Sequence, residues 1–267
     1  RLLEGALPLD PATVSHVRAL ARLGRTLGRH PDAFGLVGDS MTVDANFLRP
    51  FAPGGRTLVP RALVPQLPLA LFTRSYDAPR AAKIGMRAPW ALTPRGARKN
   101  PVEEMVATES PAYAVVLYGA NDALWRTDSI ELLRRGFDAA LAAVVDALEA
   151  DGVVPILTTV PKHMRERGWP DCPAQPNAGA NERFAVQATV LSADVADLAC
   201  RRHLPLVDLR WSLDPLLDHG IGPDGVHPSV DPRGGGVLDS PGLQCGYNVR
   251  NLVTLKELGR VAEAAAW

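Results

Sequence analysis

Three strand-length apolar runs, at residues 112–118, 153–159 and 206–209, are separated by long helical patterns, and this alternation constrains the chain more than any other feature. Strands joined through helices within one sheet run parallel, so the pattern predicts a mostly parallel sheet with helices on both faces, an α/β fold. The first intervening pattern is amphipathic over 132–148; Asp128 with Glu131 resembles a capping box ahead of it, and Gly152 ends it. The second covers 181–202, with its apolar spacing over 184–198. Upstream, Val14, Val17, Leu20, Leu23 and Leu27 recur at helical spacing, predicting a helix from Pro11 to about Gly28 that leads into a strand at Phe34. A further run at 69–72 has strand length, and Asn248 is placed to cap a last helix over 249–264.

No repeat, low-complexity tract or composition shift divides the 267 residues, which read as a single domain over 1–267. Three Pro/Gly-rich stretches, at 51–68, 161–179 and 228–246, are longer than ordinary connections and predict lids or binding walls. Lys plus Arg and Asp plus Glu each total 29, so no field of one sign draws the chain to nucleic acid or anionic lipid, and a small neutral substrate fits better. No apolar stretch approaches the roughly 18 to 20 residues of a membrane span. The chain opens on Arg1 rather than methionine, which reads as a processed or trimmed start.

Three cysteines without a C-x-x-C spacing argue against a disulfide scaffold or a structural zinc site, and neither a metal nor a cofactor is expected. Cys200, within the 181–202 helix, reads as a small core residue. Cys172 and Cys245 lie in Pro/Gly-rich loops, where one bridge would tie down irregular chain in an exported protein; two unrelated thiols in a reducing cell is the other reading. The first points to a secreted or extracytoplasmic location.

The segment FGLVGDSMT ends an apolar run on turn-forming residues, so Ser40 is either a helix cap or a nucleophile at the carboxyl edge of a sheet. A serine nucleophile needs a base within about 3 Å. The segment IGPDGVHPS supplies one: Asp224 can accept from Nδ1–H of His227, leaving Nε2 to take a proton. His16, His30, His163, His203 and His219 have no such acid-and-turn context and read as surface or packing residues. In VVLYGANDAL, Gly119 turns the chain after an apolar strand, and Asn121 is either a turn residue or an amide donor to an oxyanion. Asp39 reads as a cap holding the turn around Ser40. Trp90 and Trp125 either line a pocket or pack.

GDS at 38–40, GAND at 119–122 and DGVH at 224–227 resemble blocks one, three and five of the SGNH, or GDSL-like, hydrolase superfamily, in order, and the similarity spans roughly Phe34 to Arg260. The resemblance implies a flavodoxin-like three-layer αβα sandwich of about five parallel strands. It also implies a Ser40, Asp224, His227 triad, with an oxyanion hole from the backbone N–H of Ser40, the Asn121 amide and the N–H of a second-block glycine. Gly85 is the best match to that glycine, though without a clean motif; a helix C-cap after a turn over 79–84 is its alternative. The G-x-S-x-G elbow of α/β-hydrolases is absent. The expected activity is hydrolysis of carboxylic esters, of short acyl groups or acetylated carbohydrates, through an acyl-enzyme. The alternatives are an acyltransferase of the same fold and a non-catalytic carbohydrate-binding protein that retained it.

Overall fold

A computed structural model of the chain describes residues 9–72, 75–76, 79–96, 98–124, 129–163 and 178–267. Asp10 accepts from the N–H groups of Ala12 and Thr13 and so starts α1 (Pro11–Thr26), whose buried face carries Val17, Leu20 and Ala21. The chain then enters β1 (His30–Gly38), a one-turn α2 (Ser40–Val43), a two-residue β2 (Ala81–Ala82), α3 (Pro101–Glu109) and β3 (Pro111–Leu117). It continues through α4 (Ala120–Leu124), α5 (Ile130–Ala150), β4 (Val154–Thr158), α6 (Ala178–Arg202), β5 (Leu206–Val207), α7 (Leu209–Leu213) and α8 (Gly246–Ala265).

All strand pairs are parallel, in the order β2-β1-β3-β4-β5. This is the flavodoxin-like order, in which ligands gather at the carboxyl ends where the winding reverses, between β1 and β3. Register aligns those ends: Gly38 lies beside Ala82 and Leu117, and Thr158 beside Val207. Every residue of β3 and β4 is buried, as a parallel sheet covered on both faces requires. Phe34, Leu36, Tyr113, Val115 and Ile156 face α1 and α8, whereas Val37, Ala114, Val116 and Leu157 face α3, α5 and α6. The expected three-layer α/β architecture is therefore present. No helix among the described residues is long and apolar enough to cross a membrane.

Several local expectations are corrected. The run at 69–72 forms a turn, with the N–H groups of Leu71 and Phe72 donating to the Pro68 carbonyl, and β2 takes the place beside β1. Its hydrophobicity serves Phe72, which packs edge-on against Phe34 and Tyr113 with ring centroids 5.3 and 5.7 Å apart. The stretch 79–84 contains β2 rather than a helical turn. Cys200 is exposed, because the buried stripe of α6 runs through Leu191, Val195, Leu198 and Ala199 and the thiol lies off it. Asn248 lies inside α8, where it accepts from Asp231 N–H and donates to the carbonyls of Gly234 and Val237; Cys245 occupies the cap position. Ser129 caps α5 by accepting from Leu132 N–H. Asp128, Trp125, Cys172 with its bridge to Cys245, and most of the 161–179 loop lie outside the described residues.

Candidate active site

The site begins at the end of β1, where backbone crowding demands glycine. A Cβ on Gly38 would lie 2.4 Å from Thr42 Oγ1 and 2.6 Å from the Leu117 carbonyl oxygen, so only glycine lets α2 fold back this tightly beside β3. Asp39 is fully buried and caps α2 by accepting from Met41 N–H at 3.0 Å. Ser40 therefore opens the helix at the carboxyl edge, with its side chain only partly covered. Gly38→Ala should lower stability by about 1 to 3 kcal/mol through overpacking. A thermal melt checks this, with an expected drop of roughly 2 to 12 °C; an unchanged melting temperature would show that β3 and α2 yield without cost.

Beyond β5 and α7, the turn at Gly225 brings Asp224 and His227 together. Oδ1 of Asp224 accepts from the N–H groups of Val226 and His227 at 3.0 and 2.9 Å, and Oδ2 meets His227 Nδ1 at 2.6 Å. Partial burial pushes the Asp224 carboxyl up, but the bond from the His227 ring and the two backbone N–H groups outweigh it and hold the pKa at about 2. An ionised carboxylate only accepts, so Nδ1 carries the proton and Nε2 of the neutral ring is an acceptor. Nε2 lies 2.8 Å from Ser40 Oγ, whose hydroxyl proton can point only that way in this pair. The Asp224 hydrogen bond raises the His227 pKa above its ordinary value of 6.5, against the downward effect of burial.

At the end of β3, Gly119 takes φ 122° and a Cβ there would come within 2.4 Å of Val160, which fixes a sharp entry into α4. Asn121 on α4 donates from Nδ2 to Asp39 Oδ2 at 3.2 Å, leaving the second amide hydrogen free of that bond. One buried carboxylate thus ties Asn121 to the turn that holds Ser40. Burial raises the Asp39 pKa to about 6, against the Met41 N–H, the charges of Arg250 and His227, and the Asn121 amide.

Gly85 follows β2, the strand beside the end of β1. It sits at φ 75° in the exposed turn closed by Met86 N–H and the Lys83 carbonyl, just after β2. Lys83 N–H donates to the Gly38 carbonyl, so the segment borders the site, but no hydrogen bond joins Gly85 to Ser40 or Asn121 among the described residues. Trp90 is half-buried beneath the Arg95 guanidinium, 5.2 Å from its ring centre.

Three further groups belong to the neighbourhood. Asp122, 4 % exposed, accepts from Ala88 N–H and pins the chain after β2 to α4; burial raises its pKa to about 6, and the nearby Asp39 charge adds to the rise. His163 is buried after β4, with both ring nitrogens unpartnered among the described residues. Burial first, then the charges of Arg210 and His227, lower its pKa to about 4, so it stays neutral. Arg250 of α8 is fully buried under α2. No cluster of three or more potential metal ligands occurs among the described residues.

Comparison with known proteins bears on the family and the fold. No curated protein matches the chain. Among solved structures, the acetylxylan esterase Axe2 from Geobacillus stearothermophilus is 16 % identical over 85 % of this chain and 94 % of its own, with a TM-score of 0.50. A gut microbial diltiazem-metabolizing enzyme, BT4096, is 12 % identical over 86 % of this chain and 47 % of its own, with a TM-score of 0.56. A lipase/acylhydrolase from Enterococcus faecalis is 18 % identical over 85 % and 96 %, with a TM-score of 0.48. At such identities the first two structures speak for the shared fold alone. The family model of the GDSL-like lipase/acylhydrolases matches residues 36–231, well over half of the sequence and inclusive of Ser40, Asn121, Asp224 and His227. The chain belongs to the GDSL-like lipase/acylhydrolase family.

Proposed function

We propose that the protein is a serine esterase that hydrolyses carboxylic esters through a covalent acyl-enzyme. The relay from Asp224 through His227 to Ser40, at 2.6 and 2.8 Å, is the observation that carries this reading. His227 takes the hydroxyl proton as Ser40 Oγ bonds to the ester carbonyl carbon. The carbonyl π electrons move onto oxygen, and the oxyanion is met by the Ser40 backbone N–H and the Asn121 amide, with Gly85 N–H as a third donor. His227 then protonates the departing alkoxide, and a water activated by the same imidazole releases the acid. The Asp224 and His227 side chains are 53 % and 36 % exposed, which supports a bulky alcohol part left in solvent, as in a short acyl or acetyl ester of a carbohydrate.

The direct test is labelling by a fluorophosphonate followed by peptide mapping. A single adduct on Ser40 is expected; an adduct on another serine, or none, rejects the reading. Steady-state rates on p-nitrophenyl esters of two to twelve carbons and on acetylated sugars, with and without an acceptor alcohol, would separate acyl lengths and hydrolysis from transfer. Asn121→Ala is expected to lower kcat by about 10² to 10³ with the fold intact, the usual loss for one oxyanion donor. Unaltered turnover in that variant would remove Asn121 from the oxyanion hole.

A further inference from the structure

Arg250 is a fully buried cation in a stretch of α8 where every residue from Gly246 to Leu252 is buried. Its guanidinium donates to the Met41 carbonyl at 2.6 Å, reaches Thr42 Oγ1 at 3.4 Å, and lies 3.5 Å from the Phe47 ring centre. Its Nε makes no hydrogen bond among the described residues. A side chain needed only to fill this space would be served better by methionine or leucine, because a buried charge is costly to desolvate.

What a hydrophobe could not supply is found in α2. A helix of four residues leaves its last carbonyls without intrahelical donors, and a charge-assisted hydrogen bond to Met41 O closes one of them. The same charge lies close enough to the carboxylates of Asp39 and Asp44 to interact favourably with both, although neither is in direct contact. Asp39 is the carboxylate that caps α2 and holds Asn121.

We propose that Arg250 is a positioning residue for this site: it fixes the carbonyl end of α2 from beneath and supplies the counter-charge that lets buried Asp39 hold the Asn121 amide in place. The inference rests on the esterase reading. Arg250 touches no reacting atom; it acts through Asp39 and α2 on the placement of Ser40 and Asn121. Misplacement of a catalytic group by about 1 Å is enough to cost on the order of a hundredfold in rate.

The test compares the intact protein with Arg250→Lys, Arg250→Met, Asn121→Ala and the Asn121→Ala/Arg250→Lys double variant. The readouts are the rate of Ser40 labelling by a fluorophosphonate, kcat and KM on p-nitrophenyl acetate, and a thermal melt for folding. Arg250→Met is expected to lose roughly ten- to hundredfold in labelling rate and kcat with KM little changed, and lysine, which keeps the charge and a donor, to restore part of it. In the Asn121→Ala background the lysine change should cost much less than it does alone, because both act through one Asp39-centred unit. A folded Arg250→Met protein labelled at the wild-type rate overturns the proposal. If the methionine variant does not fold, the lysine cycle decides: losses that simply multiply show a general structural role and overturn it. A wild-type protein that is not labelled at Ser40 overturns the esterase reading itself, and this inference with it.

Discussion

Ser40→Ala is expected to lower kcat on the order of 10⁵- to 10⁶-fold while leaving the protein folded. At about 1.4 kcal/mol per tenfold, that is roughly 7 to 8 kcal/mol of transition-state stabilisation lost with one oxygen atom. The size follows from the geometry. Under the proposed mechanism Ser40 Oγ, hydrogen-bonded to His227 Nε2, is the nucleophile; without it no acyl-enzyme can form, and only direct attack by water remains. The structural cost is small. Ser40 is the first residue of α2, capped from Asp39 rather than from its own side chain, and alanine favours helix. Losing one partly exposed hydrogen bond costs about 1 kcal/mol, a shift of roughly 2 to 4 °C in melting temperature. His227 Nε2 faces solvent in that variant, so no buried charge is stranded. Hydrolysis within tenfold of the wild type would show that another nucleophile carries the reaction.

The parts of this site that the sequence displays are those whose geometry is local. Asp224 and His227 are three residues apart, and the loop that joins them also makes their hydrogen bonds. Ser40 and Asn121 each follow an apolar strand within four residues, so the parallel topology carries them to one edge without long-range detail. The strands β3 and β4 are legible because both faces are covered, which makes each a continuous apolar run.

What the sequence hides has physical reasons as well. A two-residue strand such as β2 has no period to detect, and the run at 69–72 mimics one because Phe72 belongs to the core while its backbone turns. Arg250 is invisible because α8 begins buried on all sides, so no polar stripe distinguishes an inward arginine from an outward one. Asp39 looks like a cap in sequence and Asp122 only closes the GAND block; their burial reveals two carboxylates whose pKa values both rise to about 6. His163 reads as one of several unremarkable histidines until the fold places it beside the charges of His227 and Asp224.

Under the proposed mechanism, Asp224→Asn separates the orienting carboxylate from the base it would serve. The amide keeps the shape and can still accept from the Val226 and His227 N–H groups, so the fold should persist. Its NH₂ group, however, favours the His227 tautomer with Nδ1 unprotonated and Nε2 protonated, which cannot receive the Ser40 proton; kcat is expected to fall by about 10³ to 10⁴. The pH profile carries an independent signature. If His227 is the base, it works when neutral, and because the Asp224 hydrogen bond raises its pKa, kcat/KM should climb through an apparent pKa above 6.5. Removing the carboxylate withdraws that stabilisation of the imidazolium. The acid limb of the residual activity should therefore move to lower pH, while its plateau drops. A limb that stays in place with an unreduced plateau would mean that Asp224 neither orients His227 nor tunes it, and that the proton leaves Ser40 by another route.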